Sequence, residues 1–204
     1  NGATHYGLED VGLMRIQPGI TVIAPADHQQ ARAAFLATWN LPGPVYYRLG
    51  KDDQTTIPGL EGRFELGRVQ IIREGDELVI LTMGSVANEA ASAAAALAGQ
   101  GISCTVAVVA SLTPAPVDDL VAIVARFPLV LTVEAHYVVG GVGSLVSEVA
   151  AERGLGCRVV RCGVRTMPDG LSGSQSYLHQ THGLSSGAIV KTVLQELGVQ
   201  RAMK

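Results

Sequence analysis

The sequence predicts an α/β protein. A doubly wound, mostly parallel sheet with an antiparallel edge is expected over residues 67–204, preceded by a β-α-β fragment of a second α/β domain. Three observations carry that expectation. Short β-branched or apolar runs alternate with runs of helical period along most of the chain. The stretches "ISCTVAVVA" (102–110) and "PLVLTVEAH" (128–136) are apolar on nearly successive residues, as strands buried on both faces are. Between the two blocks, "GKDDQTTIPGLEGRFEL" (50–66) is charged, contains Pro58 and loses its period, so it reads as a linker over the surface.

In chain order, "GITVIAP" (19–25) is a strand, and Asp27 can cap the helix "DHQQARAAFLATWN" that follows. Phe35 and Trp39 stand at i, i+4 on that helix and are assigned to the core. "PVYYRL" (44–49) closes the β-α-β unit. "GRVQIIREG" and "DELVILTMG" read as two strands of a hairpin turning at Glu74-Gly75-Asp76. After Ser85, the Ala-rich "VANEAASAAAALAGQG" is a helix with a glycine stop. "APVDDLVAIVARF" is the next helix, with Pro114 and Pro116 near its start and Arg126 near its end. Beyond "PLVLTVEAH" come the helix "GGVGSLVSEVAAERG", the strand "CRVVRCG" and two helices near 174–181 and 185–197.

Composition removes several function classes. With 48% hydrophobic residues among 204, a sizeable core can form. A net charge of −3 gives no basic field for nucleic acid or an anionic membrane surface. No run reaches the roughly 18 apolar residues of a membrane span, and the start has no charged segment leading into an apolar one, as a signal peptide would. Cys104, Cys157 and Cys162 lack C-x-x-C or zinc spacing, and Cys104 reads as a small buried hydrophobe. A reducing, cytoplasmic setting is expected.

Four features could carry chemistry. "GGVGSL" (140–145) lies between a strand and a helix, where a phosphate loop would lie, but it lacks the third glycine of G-x-G-x-x-G and its acidic partner. Tight turning and close packing explain Gly140, Gly141 and Gly143 as well, with N–H groups left to receive an anion or a carboxylate. Glu134 and His136 fall at the carboxyl end of a strand and on one face of it, placed for acid–base work or for orienting a loop or interface. His179 and His182 fall at a helix end, where the macrodipole favours a cation, and no third ligand suggests a metal. There is no G-x-S-x-G elbow, H-E-x-x-H pair or Walker loop. These residues alone name no function.

Longer motifs do. "GATHYGLEDVGLMRIQPGITVIAPADHQQARAAF", "GPVYYRLGK", "GDELVILTMGSVANEA" and "VEAHYVVGGVGSLVSEV" occur in that order. Together they resemble the transketolase family, with deoxyxylulose-phosphate synthase and the beta subunits of 2-oxoacid dehydrogenases as cousins. The resemblance implies that 1–49 is the last part of a pyrimidine-binding domain, 50–66 a linker and 67–204 the C-terminal domain. It implies thiamine diphosphate and Mg²⁺ held mainly by regions outside this chain, and hence no cofactor-binding or metal residue here. It also implies a fragment or subunit that is inactive alone, an N-terminal partner portion, a homodimer of complete units and a phosphorylated sugar substrate.

Residue by residue, His5 matches the family's T-H histidine, a catalytic and substrate-binding group able to move a proton at the reacting end of the sugar. Arg48 matches the arginine that grips the sugar phosphate. Asn1 stands where the family commonly has an aspartate that binds a sugar hydroxyl, which adds a donor and removes a charge. The implied reaction is transfer of a two-carbon ketol unit between sugars, the alternative within enzymes being a 2-oxoacid dehydrogenase beta subunit or a deoxyxylulose-phosphate synthase. The rival of another class is a non-catalytic α/β module that organises a partner.

Overall fold

The β-α-β unit forms as its apolar pattern dictates. Strand β1 (Thr21–Ile23) leads into helix α2 (His28–Thr38) and parallel strand β2 (Val45–Tyr47), with Thr21 opposite Val45 and Ile23 opposite Tyr47. Asp27 caps α2 as expected, its carboxylate accepting from the Gln30 N–H at 2.8 Å. The structure, a computed structural model, describes residues 6–51, 54–167, 170 and 172–198. A short helix ahead of β1, α1 (Asp10–Arg15), is one element the pattern does not announce.

The larger sheet is built from β3 (Gln70–Arg73), β4 (Leu78–Met83), β5 (Cys104–Val108), β7 (Leu129–Tyr137) and β8 (Arg158–Val164), in the order β3-β5-β4-β7-β8. The last four strands are parallel, and β3 runs antiparallel on the β5 edge. The remaining helices are α3 (Ala87–Ala98), α4 (Val117–Val124), α5 (Val142–Glu152), α6 (Gln175–Thr181) and α7 (Ser186–Glu196). Alternate residues of β4 face opposite ways. Val79, Leu81 and Met83 pack with Leu120 of α4 and Leu145 and Val149 of α5. Leu78 and Ile80 pack with Ala90, Ala94 and Leu97 of α3 and Ile189 of α7. Helices thus cover both faces, which is the doubly wound arrangement.

Three expectations are corrected. The antiparallel edge exists, but β3 and β4 form no hairpin: every residue of β4 is buried, so it sits between β5 and β7, while half-exposed β3 takes the edge beyond β5. Glu74-Gly75-Asp76 instead crosses the start of β5, where Gly75 exchanges hydrogen bonds with the Thr105 hydroxyl at 3.0 and 2.7 Å. A Cβ on Gly75 would overlap the Cys104 backbone, so only glycine lets the two chains cross there. Phe35 and Trp39 are not core: α2 buries Gln30, Ala34 and Thr38, one position round the helix, and leaves Phe35 56% and Trp39 67% exposed. The 50–66 stretch is no free linker either, for Ile57 and Leu60 are buried against Ala26, Ala87 and Ala110.

A further strand, β6 (Ser111–Thr113), leaves the larger sheet and pairs antiparallel with β1, giving a second sheet in the order β2-β1-β6. The Ala24 N–H donates to the Ala110 carbonyl at 2.8 Å, and the Gly84 N–H to the Ala24 carbonyl at 3.1 Å. The segment 6–49 is therefore stitched by backbone hydrogen bonds to the block that follows it. Among the described residues, no helix is long and apolar enough to cross a membrane.

Candidate active site

A cavity of about 770 Å³ opens where the carboxyl ends of β2, β4 and β7 converge. That is the end of an open α/β sheet at which ligands bind. Its walls come from both halves of the chain: Gly7, Asp10, Arg48 and Lys51 from the first, Ser85 and Gln175 from the second.

Arg48 follows β2 directly and reaches this cavity with only a fifth of its side chain exposed. Its Nε donates to both oxygens of Asp10, at 3.2 and 3.1 Å. Its Nη2 donates to the Gly7 carbonyl at 2.7 Å and to the Ala135 carbonyl of β7 at 2.8 Å. Nη1 lies beside Gly84, and no described residue accepts from it. The guanidinium therefore joins α1, β2 and β7 and keeps one nitrogen for the cavity. Asp10 also accepts from the Tyr46 hydroxyl at 2.7 Å; burial, then that bond, push the phenol up to about 12.

His5 and Asn1 lie outside the described residues. Asp10 and Tyr46 were not singled out from sequence, because their roles depend on Arg48, 38 residues from Asp10. The acidic pair Glu9-Asp10 before an apolar run is the helix-start signal that could have placed α1.

Glu134 and His136 are brought together, and both are fully buried. The Glu134 carboxylate accepts from the Val142 N–H at 2.9 Å and the Gly143 N–H at 3.0 Å, filling the amides at the start of α5. A Cβ on Gly141 would overlap that carboxylate, and one on Gly143 would stand 2.8 Å from it. The Gly140 N–H is taken by Ser144 Oγ at 2.8 Å, and Arg15 Nη1 donates to the Gly140 and Gly141 carbonyls. The glycines thus serve close packing around an internal carboxyl group, and the loop does not fit a diphosphate. Among the described residues, no three His, Cys, Asp or Glu are grouped to hold a metal ion.

His136 Nδ1 lies 2.6 Å from the Tyr137 carbonyl and so carries the proton; Nε2 accepts from the Gly12 N–H at 3.4 Å. Burial holds the imidazole below its usual range, which keeps it neutral in this setting. His179 is buried with Nδ1 3.4 Å from Glu89, whose other oxygen accepts from the Ser186 N–H at 2.7 Å, and His182 ends α6. A carboxylate partner, beyond a helix dipole, thus accounts for the place of His179.

Burial pushes Glu134 up to about 7 from an ordinary 4.5, although its two amide donors and Arg161 oppose this. Between those values the folded chain keeps a proton that the unfolded chain has released, so this group's contribution to stability falls as pH rises from 4.5 through 7. At about 1.4 kcal/mol for each tenfold change in proton affinity, the loss is on the order of 3 kcal/mol. Glu134→Gln removes that titration and leaves one buried N–H facing an amide donor, so the variant is less stable than the parent. Urea unfolding at pH 5 and pH 8 is expected to show the gap between the two proteins narrowing at pH 8. A gap that stays the same would mean that Glu134 is ionised throughout.

The description "Transketolase, C-terminal domain" matches residues 67–189. The chain belongs to the transketolase family. Among curated relatives, it is 33% identical over 192 residues to a subunit of the apulose-4-phosphate transketolase of Actinobacillus succinogenes, covering 94% of this chain and 62% of that one. It is 38% identical over 193 residues to the 6-deoxy-6-sulfo-D-fructose transketolase subunit SqwH of a Clostridium species, covering 94% and 59%. Among solved structures, it superposes with a TM-score of 0.85, at 35% identity, on a split-gene transketolase described as an inactive β4 tetramer, covering 98% of this chain and 64% of that one. The chain thus spans about three fifths of the length of these transketolase relatives.

Proposed function

We propose that this chain is the C-terminal part or subunit of a thiamine-diphosphate-dependent transketolase that transfers a two-carbon ketol unit between phosphorylated sugars. Residues 1–49 act as part of a pyrimidine-binding domain, 50–66 as the connection and 67–204 as the C-terminal domain. The carrying observation is Arg48, buried to four fifths and lining a cavity, with no described residue accepting from its Nη1, in a chain whose relatives are named transketolase subunits. A guanidinium at the carboxyl end of a parallel strand suits the anionic end of a phosphorylated sugar.

Thiamine diphosphate, held with Mg²⁺ by the N-terminal portion or subunit, supplies the carbanion chemistry when bound. This chain's share is recognition. Asn1 binds a sugar hydroxyl, His5 binds the sugar and moves a proton at its reacting end, and Arg48 holds the phosphate. The three cysteines are free thiols, in keeping with work in the cytoplasm. Ketol transfer by this chain mixed with the N-terminal portion, thiamine diphosphate and Mg²⁺ tests the reading, and a mixture that binds both yet transfers nothing would leave the scaffold rival standing.

The complete enzyme is expected to be a dimer of catalytic units. Leu13, Ile16 and Val139 are each more than half exposed, apolar surface of the kind that extensive contacts cover. Light scattering on the active mixture is expected to give two copies of each portion. Full activity at the mass of one copy of each would contradict it.

A further inference from the structure

The cavity around Arg48 is closed from the side of residues 67–204, and that wall is held in place. Gln175, at the start of α6, donates from Nε2 to Ser85 Oγ at 2.8 Å. His179, one turn further along α6, is 3.4 Å from Glu89 of α3. Two side-chain contacts thus fasten α6 to the start of α3. Ser85 itself stands over the end of β2, since a Cβ placed on Gly50 would lie 3.4 Å from the Ser85 Cβ. Arg48 and the Ser85–Gln175 pair therefore line the same cavity, with Gly84, next to Ser85, beside Arg48 Nη1.

Arg48 alone makes an incomplete anion site. Its Nε and Nη2 already serve Asp10, Gly7 and Ala135, and Asp10 offsets its charge. Only Nη1 is left for a tetrahedral oxyanion whose three terminal oxygens each accept hydrogen bonds. Ser85 and Gln175, which line the same cavity, have the missing donors. Ser85 Oγ accepts from Gln175, which leaves its own O–H to donate, and the Gln175 amide has a second N–H. No described residue accepts from either group.

We propose that Ser85 and Gln175 are specificity-determining residues that bind the terminal oxyanion of the substrate, a phosphate or a sulfonate, in the cavity they line together with Arg48. The proposal rests on the ketol-transfer reading above and adds that the C-terminal domain takes part in selecting the substrate.

The test uses this chain assembled with its N-terminal portion. It compares kcat/KM for fructose 6-phosphate, 6-deoxy-6-sulfofructose and hydroxypyruvate, which has no such terminal group. Gln175→Glu places a carboxylate against the oxyanion and is expected to lower the preference for the first two over hydroxypyruvate about tenfold. Ser85→Ala is expected to lower it about threefold, at roughly 0.5–1.5 kcal/mol for one hydrogen bond. A drop for one of the two anionic sugars identifies that source, and a drop for both identifies the shared chemistry. Unchanged preference in both variants, or equal loss on all three substrates, overturns the proposal.

Arg48→Ala run in parallel separates the two claims. A selective loss there, without one in the Ser85 and Gln175 variants, removes this inference and leaves the reading of Arg48 intact. Binding supplies a second readout. Titration of the chain with inorganic phosphate is expected to move the Gln175 side-chain amide resonances, and Gln175→Glu is expected to weaken the fitted affinity about tenfold. Resonances of Arg48 that move while those of Gln175 stay fixed would also overturn it.

Discussion

The chain alone is expected to show no ketol transfer, and mixing it with the N-terminal portion, thiamine diphosphate and Mg²⁺ is expected to restore turnover. The size of the effect is all or nothing against a typical enzyme rate of about 10 s⁻¹. The physical reason lies in the glycine loop at 140–143, which resembles a diphosphate cradle in sequence. Its amides at Val142 and Gly143 are bound to Glu134, and the Gly140 amide to Ser144. A diphosphate would have to displace the fully buried Glu134 carboxyl group from its two donors and leave it without a partner, which costs about 1–3 kcal/mol. The assay is ketose-dependent aldose formation by the chain, by the partner and by the mixture. Turnover by the 204-residue chain alone would sink the split-site reading.

Much of the fold was legible because its signals are local. The buried run at β5 and the Ala-rich face of α3 each follow from residues within one element. What failed was long-range. Gly75 sits between two strand-like runs and reads as a turn, but its conformation is set by the Cys104 backbone, 29 positions away, which no period in the sequence reports. Strand β6 is three residues long, and its reason to be extended is β1, almost ninety residues earlier. Phe35 and Trp39 show the limit of an i, i+4 rule: the spacing says that two residues share a face, and only packing says which face is inside.

The site divides the same way. Arg48 was singled out through a motif, and Glu134 through an expected place at a strand end; the structure puts Arg48 just past β2 and Glu134 inside β7, opposite Met83 at the end of β4. The groups that condition them were invisible because each acts across the chain. Asp10 fixes the guanidinium from α1, the Ala135 carbonyl fixes it from β7, and Gln175 meets Ser85 from 90 residues away. Glu134 reads from sequence as a candidate acid or base. Its two amide partners make it a cap for α5, a role that requires the loop between them to fold back by eight and nine residues.

Replacing Arg48 by alanine is expected to have two separable effects. The first is on the fold. The variant loses donors to Asp10, Gly7 and Ala135, and Asp10, itself 13% exposed, loses its cation. Leaving such groups without a partner costs about 1–3 kcal/mol, or roughly 3–10 °C in Tm for a chain of this size. The second is on the substrate. Losing one partner of a buried charge pair costs about 2–5 kcal/mol, but here a single nitrogen faces the cavity and Lys51, Ser85 and Gln175 line the same space. The lower end is therefore expected, about 30- to 100-fold in the ratio of kcat/KM for a phosphorylated donor to that for hydroxypyruvate. Asp10→Asn separates the two effects. It keeps an acceptor for Tyr46 and Arg48 while removing the charge that offsets the guanidinium, so it is expected to lower Tm while the preference for the phosphorylated donor stays or rises. If Arg48→Ala depresses both substrates equally at a temperature where the variant is folded, Arg48 is a structural tie between α1, β2 and β7 and does not hold the phosphate.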